Sequence, residues 1–265
     1  MYTTKIVINM TDIVAKMANM KISNSPIRVV LETADTFLKV FTALDELCDS
    51  ANIIFGDDGI SISSMDSSHV CLVAVKFAKG YFEEYTISST ITVGIKVSNL
   101  VRVLKCVEGS VLFECSDDEF FVMTENDKYN LKTMDIDSEE MDVPDMDVEV
   151  EIIADSSVLQ KYIKNIASFG DTVEFKTVGD EIIMKTSGDI GTVELRVDQP
   201  VTIHGQLSAS FASRYLVTFM KAANISKKIR INLHSELPVM FEYEFAENSF
   251  IKFFLAPKIT DEDDE

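Results

Sequence analysis

FASRYLVTFMKAAN, residues 211–224, has the residue spacing of an amphipathic helix. Its apolar residues recur at steps of three and four, as a single buried face requires. Arg214, Thr218 and Lys221 fall on the opposite face, and the segment contains no acidic residue. Taken alone, this pattern favours an ordinary surface helix, because a charged run is usually a solvated face. The predicted apolar face consists of Phe211, Tyr215, Leu216, Phe219, Met220 and Ala223.

The composition is that of a folded globular protein with a strong acidic excess. The 265 residues are 46% hydrophobic and 26% charged, and 44 acidic residues against 24 basic ones give a net charge of -20. This length allows one large domain or two ordinary ones. Phosphate attraction needs clustered Lys and Arg, so the acidity argues against a protein whose whole surface binds DNA. The net charge is still compatible with a few basic residues clustered on one face.

The sequence carries no signal for a membrane or a secretory pathway. No apolar run approaches the roughly 20 residues that a spanning helix needs, so no membrane partner is expected. Residues 1–26 have no apolar core followed by a cleavage site, and we interpret them as an N-terminal extension with a short helix from Thr11 to Met20. The cysteines predict buried thiols in a reducing compartment rather than a zinc site, because they lie in apolar runs and form no C-x-x-C pair. They are Cys48, Cys71, Cys106 and Cys115.

The order strand, helix, strands, helix, strands occurs twice along the chain. In each half a short strand precedes a helix that an aspartate opens, Asp35 in the first half and Asp155 in the second. Ser98 is the predicted cap of the helix that closes the first set. This internal duplication predicts two similar α+β domains with antiparallel sheets. The predicted helices are 35–47, 99–107, 157–169 and 211–224; the predicted strands are 27–32, 51–55, 60–65, 70–77, 86–95, 111–115, 120–124, 129–133, 148–153, 173–176, 181–185, 193–197, 201–206, 229–233, 239–245 and 249–255.

Residues 134–147, MDIDSEEMDVPDMD, interrupt this order with seven acids and one proline. The composition predicts a linker. Its apolar residues are more numerous than a solvated linker needs, so it is either packed on its own domain or part of a docking surface. The predicted division of the chain is therefore an extension at 1–26, domains at 27–133 and 148–259, the linker between them, and an acidic tail at 260–265.

Three predicted helices share an absence of acidic residues. At the average acidic content of the chain, segments of the combined length of 98–107, 157–169 and 211–224 would carry about six acids, and they carry none. The first helix differs, because Lys39 is accompanied by Asp45 and Glu46. A surface built from such faces can follow a phosphate backbone without reading base sequence. The bases on these three helices are Arg102, Lys105, Lys161, Lys164, Arg214 and Lys221.

Four motifs resemble the eukaryotic sliding clamp family, the proliferating cell nuclear antigens. They are SMDSSHV at 64–70, VLKC at 103–106, RYL at 214–216 and LAPKI at 255–259 before the acidic tail. The resemblance runs from about residue 27 to the end of the chain. It implies a pseudo-sixfold homotrimeric ring with two similar α+β domains per chain, helices lining the inside around duplex DNA, and antiparallel sheets outside. Departures such as the extension at 1–26 would suit a viral or protist member.

The resemblance also implies three sets of site residues. Asp45 stands where the family has a channel lysine. The implied DNA channel comprises Lys39, Arg102, Lys105, Lys161, Lys164, Arg214 and Lys221. The implied partner-peptide pocket comprises Met65, His69, Met141, Val143, Pro144, Pro238, Phe254, Ala256, Pro257 and Ile259. The implied subunit interface pairs the strand of Tyr129 and Leu131 with the strand of Val193 and Leu195 in the neighbouring subunit.

The function implied by the resemblance is that of a DNA polymerase processivity factor. Such a clamp encircles duplex DNA and tethers a polymerase, a clamp loader, a ligase and a nuclease through clamp-interacting peptides, each with a glutamine and two aromatic residues. The implied location is the nucleus, or the replication site of a virus. No catalytic residue, metal or cofactor is expected.

Two other classes of function compete with this interpretation. An enzyme is disfavoured, because the chain has no P-loop and no G-x-G-x-x-G motif among its 10 glycines. His69 lies near Asp66 and two serines, but there is no second nearby histidine and no G-x-S-x-G elbow to complete a hydrolase. The second alternative is a clamp-like subunit of a heterotrimeric checkpoint ring, or a viral transcription factor. The LAPKI motif and the self-complementary strands favour a replication clamp.

Overall fold

Most elements of the fold are β-strands. A computed structural model describes residues 25–116, 118–137 and 147–258. The sequence between residues 25 and 137 forms nine strands and two α-helices among its described residues. These elements are β1 Ile27–Leu31, α1 Asp35–Asp45, β2 Ser50–Gly56, β3 Gly59–Met65, β4 Cys71–Ala78, a 3₁₀ turn Lys79–Tyr81, β5 Glu84–Ile87, β6 Ile91–Lys96, α2 Val97–Leu104, β7 Val111–Cys115, β8 Glu119–Met123 and β9 Lys128–Lys132.

The sequence from residue 147 repeats the pattern. A strand again precedes a helix, and a second helix again follows further strands. These elements are β10 Val150–Asp155, α3 Ser156–Ala167, β11 Thr172–Val178, β12 Glu181–Gly188, β13 Gly191–Arg196, β14 Val201–Ile203, β15 Ser208–Ala212, α4 Ser213–Phe219, a 3₁₀ turn Met220–Asn224, β16 Lys228–Leu233, β17 Val239–Ala246 and β18 Ser249–Leu255. No helix within the described ranges is long and apolar enough to cross a membrane.

The described chain divides into two compact units. The first comprises the described residues up to 45 together with 49–62 and 76–137, and the second comprises 46–48, 63–75 and the described residues from 147 onward. In the first unit, one sheet has the strand order β5-β1-β7-β8-β9, and β6, β2 and β3 are neighbours in another. In the second unit, the orders are β14-β10-β16-β17-β18-β4 and β13-β12-β11-β15. The strand pairs with a determined register are antiparallel, as the sequence predicts.

Aromatic side chains attach the helices to the sheets within each unit. In the first, the ring centroid of Phe37 on α1 lies 4.5 Å from that of Phe77 and 5.1 Å from that of Phe113. In the second, Phe219 on α4 stacks on Phe253 at 4.8 Å. These rings are almost fully buried. Burying such large apolar surfaces is the main source of stability for a domain of this kind.

The C-terminal helix is shorter than its apolar spacing predicts. Phe211 belongs to β15, where it pairs with Val173 of β11, and α4 begins at Ser213 and becomes 3₁₀ from Met220. The buried side chains of Phe211 and of Ala209, two residues earlier, follow the alternation of a strand. Over one turn, the apolar spacing of a short strand can match that of a helix. Here the pairing of Phe211 with β11 makes the segment a strand.

The predicted helix caps are correct at one of three positions. The carboxylate of Asp155 accepts hydrogen bonds from the backbone N–H groups of Ser157 and Val158, as an N-cap should. Asp35 is already helical, because the amide of Leu38 bonds to the carbonyl of residue 34. Ser98 is also wrong as a cap: α2 begins at Val97, one residue earlier, after Lys96, which makes no side-chain capping bond.

Three further predictions are wrong in the structure. The predicted strand 86–95 is two strands, β5 and β6, separated at residues 88–90. The strand predicted at 201–206 ends at Ile203, because the amides of His204 and Gly205 both bond to the carbonyl of Glu149. Cys106 is exposed at the end of α2, whereas the other three cysteines are buried free thiols. The remaining predicted elements are present with ends shifted by a few residues, and the helix predicted from Thr11 lies outside the described residues.

Candidate DNA and partner interfaces

The two helices of the first unit present bases on their exposed sides. Lys39 of α1 is exposed between the buried residues Phe37 and Val40. On α2, Leu100 and Leu104 are buried, whereas Arg102 and the adjoining Lys105 are exposed. The amphipathic pattern therefore positions all three bases where a solvent-borne ligand can reach them.

The helices of the second unit repeat this arrangement without any acidic residue. Lys161 and Lys164 are exposed on α3, and Arg214 is exposed on α4. Lys221 is exposed in the 3₁₀ turn that continues α4. The guanidinium of Arg214 lies 5.0 Å from the ring centroid of Tyr215, a distance at which a cation is attracted to the ring face. All seven bases of the predicted channel are thus exposed.

Lys221 has an acidic partner that local sequence spacing did not reveal. Its Nζ lies 2.6 Å from Oε2 of Glu46, which directly follows α1 in sequence and belongs to the second unit. The two side chains are 49% and 39% exposed. An ion pair this accessible contributes little to folding, about 0–1 kcal/mol. Lys221 is therefore shared between an internal carboxylate and any external anion.

The SMDSSHV motif forms a loop organised around the carboxylate of Asp66. Oδ1 accepts hydrogen bonds from the amides of Val70 and Cys71 at 3.0 and 2.8 Å. Oδ2 accepts from the amide of Ser68 at 3.1 Å and from the hydroxyl of Tyr215 on α4 at 2.6 Å. The aspartate of the motif thus links its own loop to the RYL motif, 149 residues further along the chain.

These hydrogen bonds control the ionisation of both side chains. Burial alone would raise the pKa of Asp66, but the hydrogen bonds from Tyr215 and from three backbone amides outweigh it and lower the pKa. Burial, followed by donation to the Asp66 carboxylate, raises the pKa of Tyr215. At neutral pH the pair is therefore a carboxylate bonded by a neutral phenol, which is a charge-assisted and strong hydrogen bond.

An apolar cluster lies on the sheet face opposite the helix of the second unit. Phe241 and Phe253 pack against Phe219 of α4. Met240 and Phe254, the strand neighbours of Phe241 and Phe253, pair with each other and face the other way. There they pack together in a cluster that combines the predicted pocket residues Met65 and Phe254 with residues outside the predicted set. The members of this outer cluster are Leu72, Ala74, Met240 and Phe254, with Met65 packed against them.

The other described residues of the predicted pocket differ in exposure, and one of them joins the segment after β18 to the Asp66 loop. Ala256, just after β18, donates its amide to the carbonyl of Val70 at 3.0 Å, which joins the C-terminal segment to the Asp66 loop. His69 and Ala256 are exposed, and Pro238 and Pro257 are half-buried. The structure thus brings Met65 and Phe254 into one cluster and joins the loop of His69 to Ala256. The predicted residues Met141, Val143, Pro144 and Ile259 lie outside the described residues.

The predicted interface strands lie at the edges of their sheets. β9 ends the five-stranded sheet of the first unit, and β13 ends the four-stranded sheet of the second. Along each strand, exposed and half-buried residues alternate. The half-buried positions include all four predicted interface residues, namely Tyr129, Leu131, Val193 and Leu195. Edges without a further partner strand among the described residues are templates for strand addition.

The residues around His69 that resemble a hydrolase constellation have a structural role instead. The Asp66 carboxylate is engaged by backbone amides and a phenol, and the His69 backbone has the left-handed φ of 57°, so the residues serve the shape of the loop. Within the described ranges, no group of three His, Cys, Asp or Glu side chains could hold a metal ion. 

Comparisons with known proteins agree with the motifs. A family model described as "Proliferating cell nuclear antigen, N-terminal domain" matches residues 27–152. A second, described as "Proliferating cell nuclear antigen, C-terminal domain", matches residues 142–258. The two matches together cover the sequence from the first strand to the segment after β18.

Individual relatives are similar over nearly their whole length. "Probable DNA polymerase sliding clamp 2" of Paramecium bursaria Chlorella virus 1 is 47% identical over 252 residues, which are 92% of this chain and 96% of the relative. "Proliferating cell nuclear antigen" of Caenorhabditis elegans is 29% identical over 261 residues, 88% of this chain and 97% of the relative. The crystal structure of proliferating cellular nuclear antigen from Entamoeba histolytica matches with a TM-score of 0.82 at 25% identity, covering 89% of this chain and all of that one.

Proposed function

The chain belongs to the proliferating cell nuclear antigen family, and on this premise we propose how this DNA polymerase sliding clamp uses the surfaces described above. Membership of this family implies that the protein encircles DNA, forms an oligomer and binds a polymerase. A checkpoint heterotrimer subunit or a viral transcription factor is not favoured, because the 47% identical relative is named as a DNA polymerase sliding clamp. The relatives are processivity factors rather than enzymes, and the same non-catalytic role is proposed here.

The proposed DNA surface consists of the exposed bases on the four helices. The observation that carries this proposal is the charge segregation: α2, α3 and α4 with its 3₁₀ turn contain no acid in a chain of net charge -20. Contacts from such bases to phosphates are sequence-independent and weak individually. They suit a protein that is retained by encirclement and must move along the duplex. The proposed contact residues are Lys39, Arg102, Lys105, Lys161, Lys164, Arg214 and Lys221.

A processivity assay tests this function. On a primed circular template with the matching loader and polymerase, the chain should lengthen the products of a single binding event. Lys161→Glu on α3 should shorten them, because it places an acid where phosphates pass. Lys176→Glu is the matched control, since Lys176 is an exposed lysine of the same unit that lies on strand β11. Equal loss from both variants would contradict the helix assignment, and absence of any stimulation by the unmodified chain would contradict the function.

A homotrimer is proposed, in which β9 of one subunit pairs with β13 of the next. Both strands lie at the edges of their sheets, which supports this pairing. Charge also supports it, because β9 carries Lys128 and Lys132 and β13 carries Glu194. The protein should sediment near three times the 29.6 kDa of one chain. Leu131→Glu should shift it toward the monomer by burying a charge at the contact. A monomer in the unmodified protein at all concentrations would refute the ring.

A partner pocket is proposed around the outer cluster and the segment after β18. Its support is the meeting of Met65 with Phe254 in one apolar cluster and of the Asp66 loop with Ala256. The proposed occupants are the clamp-interacting peptides of a polymerase, a clamp loader, a ligase and a nuclease. A labelled peptide with one glutamine and two aromatics should bind, and Pro257→Ala should weaken it. Equal affinity of the peptide for the variant would contradict this location of the pocket.

The remaining assignments are proposed with the same function. The clamp domains are proposed at 27–133 and 148–259, with 134–147 as the connecting loop, which the family-model matches at 27–152 and 142–258 support. The viral and eukaryotic relatives imply replication in the nucleus or at a viral replication site. Imaging of a tagged chain beside labelled nascent DNA distinguishes the two locations.

A further inference from the structure

The side chain of Asp66 holds both ends of its loop and also holds α4. Oδ1 binds the amides of Val70 and Cys71, while Oδ2 binds the amide of Ser68 and the hydroxyl of Tyr215. Asp66 and Tyr215 are both buried, with 7% of each residue exposed. All of these residues belong to the second unit. The Tyr215 hydroxyl thus connects a helix of the proposed DNA surface to a loop of the proposed partner pocket.

The loop needs such support because part of its backbone is unfavourable. His69 has a φ of 57°, in the left-handed region that residues other than glycine rarely adopt. Such a conformation persists only where surrounding contacts determine it. Beside the Tyr215–Asp66 pair lies an open cavity of about 270 Å³, lined also by Ser67, Ser68 and Arg214. This space allows the loop to shift if the hydrogen bonds that hold it are weakened.

The same loop contacts the segment that follows β18. The carbonyl of Val70 accepts the amide of Ala256 at 3.0 Å, and the amide of Lys258 bonds to the carbonyl of Ser210 in β15, just before α4. A displacement of the loop would therefore move His69 and also release Ala256. Both residues belong to the proposed pocket.

We propose that Tyr215 is a positioning residue for the partner-peptide pocket. Its hydroxyl fixes the Asp66 carboxylate, and the carboxylate fixes the loop that presents His69 and anchors Ala256. Tyr215 itself is not placed in the pocket, and its effect on peptide binding is exerted through Asp66. This inference rests on the proposed pocket function.

The test is Tyr215→Phe, which removes one hydroxyl and leaves the ring. Affinity for a fluorescein-labelled peptide with one glutamine and two aromatics, measured by anisotropy, should fall about fivefold, since the loop loses one of its charge-assisted bonds. Tyr243→Phe is the matched control. Tyr243 is a buried tyrosine of the same unit, whose hydroxyl donates to the carbonyl of Phe219 and does not reach the loop. This variant should lose stability but keep its peptide affinity.

Hydrogen exchange gives a direct measure of the loop. In Tyr215→Phe the amides of Ser68, Val70 and Cys71 should exchange faster, and in Tyr243→Phe they should exchange at the unmodified rate. Asp66→Asn is a second variant, for use if Tyr215→Phe does not fold. Its amide group can replace only one of the two acceptor oxygens, so peptide affinity should again fall and exchange at Ser68 should rise.

The outcomes separate this inference from the function on which it rests. If the unmodified protein does not bind the peptide, the proposed pocket is wrong. If it binds, and Tyr215→Phe matches Tyr243→Phe in affinity and in loop exchange, the pocket stands and the role of Tyr215 is overturned. Faster loop exchange with unchanged affinity also overturns the role, because the loop would then move without affecting the peptide.

Discussion

Glu46→Gln should strengthen the proposed contact of Lys221 with DNA. In the structure the Lys221 ammonium lies 2.6 Å from the Glu46 carboxylate. A phosphate that approaches Lys221 must therefore compete with an acceptor that is already in place. Glutamine has nearly the shape of glutamate but no charge, so the substitution removes the competitor with little change in packing.

The size of the effect follows from the exposure of the pair and from counterion release. Side chains that are 49% and 39% exposed form an ion pair worth about 0–1 kcal/mol, so folding should change little. Each phosphate contact to duplex DNA adds about 0.9 to the slope of log K against log salt. If the substitution restores one full contact, affinity should fall about 3.5-fold more than in the unmodified protein when salt rises from about 50 to 200 mM.

Fluorescence anisotropy of a labelled short duplex, titrated at several salt concentrations, measures this slope. Glu151→Gln is the matched control, because Glu151 is also ion-paired, to Arg230 at 3.0 Å on the sheet, and the change in net charge is the same. Its slope should equal that of the unmodified protein. A Glu46→Gln slope equal to that of Glu151→Gln would refute the reasoning. So would a gain that survives when Lys221→Gln is added.

Three further outcomes are expected. Phe219→Ala should lower the free energy of unfolding by about 3–5 kcal/mol in denaturant titration, because the ring is fully buried and stacked on Phe253 at 4.8 Å. Because the pKa of Asp66 is lowered in the folded protein, its carboxylate should stabilise the fold fully above the ordinary pKa of 3.8. This stabilisation should be lost as pH falls below 3.8 toward the folded-state pKa. Acid titration of Asp66→Asn, followed by circular dichroism, should show no loss of stability from this group. Gly94→Ala should cost about 1–3 kcal/mol by thermal unfolding, since its Cβ would meet the carbonyl oxygen of Met134.

Local patterns predicted what depends on neighbours in sequence. The amphipathic spacing of α2 and α3 was sufficient to separate their buried leucines and isoleucines from their exposed bases. The aspartate before α3 was sufficient to predict its cap, because a capping bond reaches only two or three residues along the chain. The duplicated order of elements was equally visible, since each half repeats its own sequence of strand and helix signals.

Contacts between distant residues were beyond this kind of inference. The Tyr215–Asp66 bond spans 149 residues and the Lys221–Glu46 pair spans 175, and no local spacing encodes either of them. The error at Phe211 has the same origin, because its pairing with β11 overrides a helical apolar pattern. An aspartate within an otherwise small-residue loop was the one available signal for Asp66, since such residues commonly bond nearby amides.

The charge distribution suits the proposed clamp, which must hold DNA and still move along it. A protein that relies on six to ten phosphate contacts for retention loses about 10³- to 10⁵-fold in affinity when salt rises from about 50 to 200 mM. A clamp that encircles the duplex is retained by closure of the ring, so each phosphate contact adds friction without being needed for retention. The net charge of -20 disfavours DNA binding on the remaining surface of the chain, and the Glu46 carboxylate competes with phosphates for Lys221. Glu46 beside a base of the proposed DNA surface therefore fits this proposal: it would lower the local affinity at Lys221 while the exposed bases of the other helices remain available to phosphates.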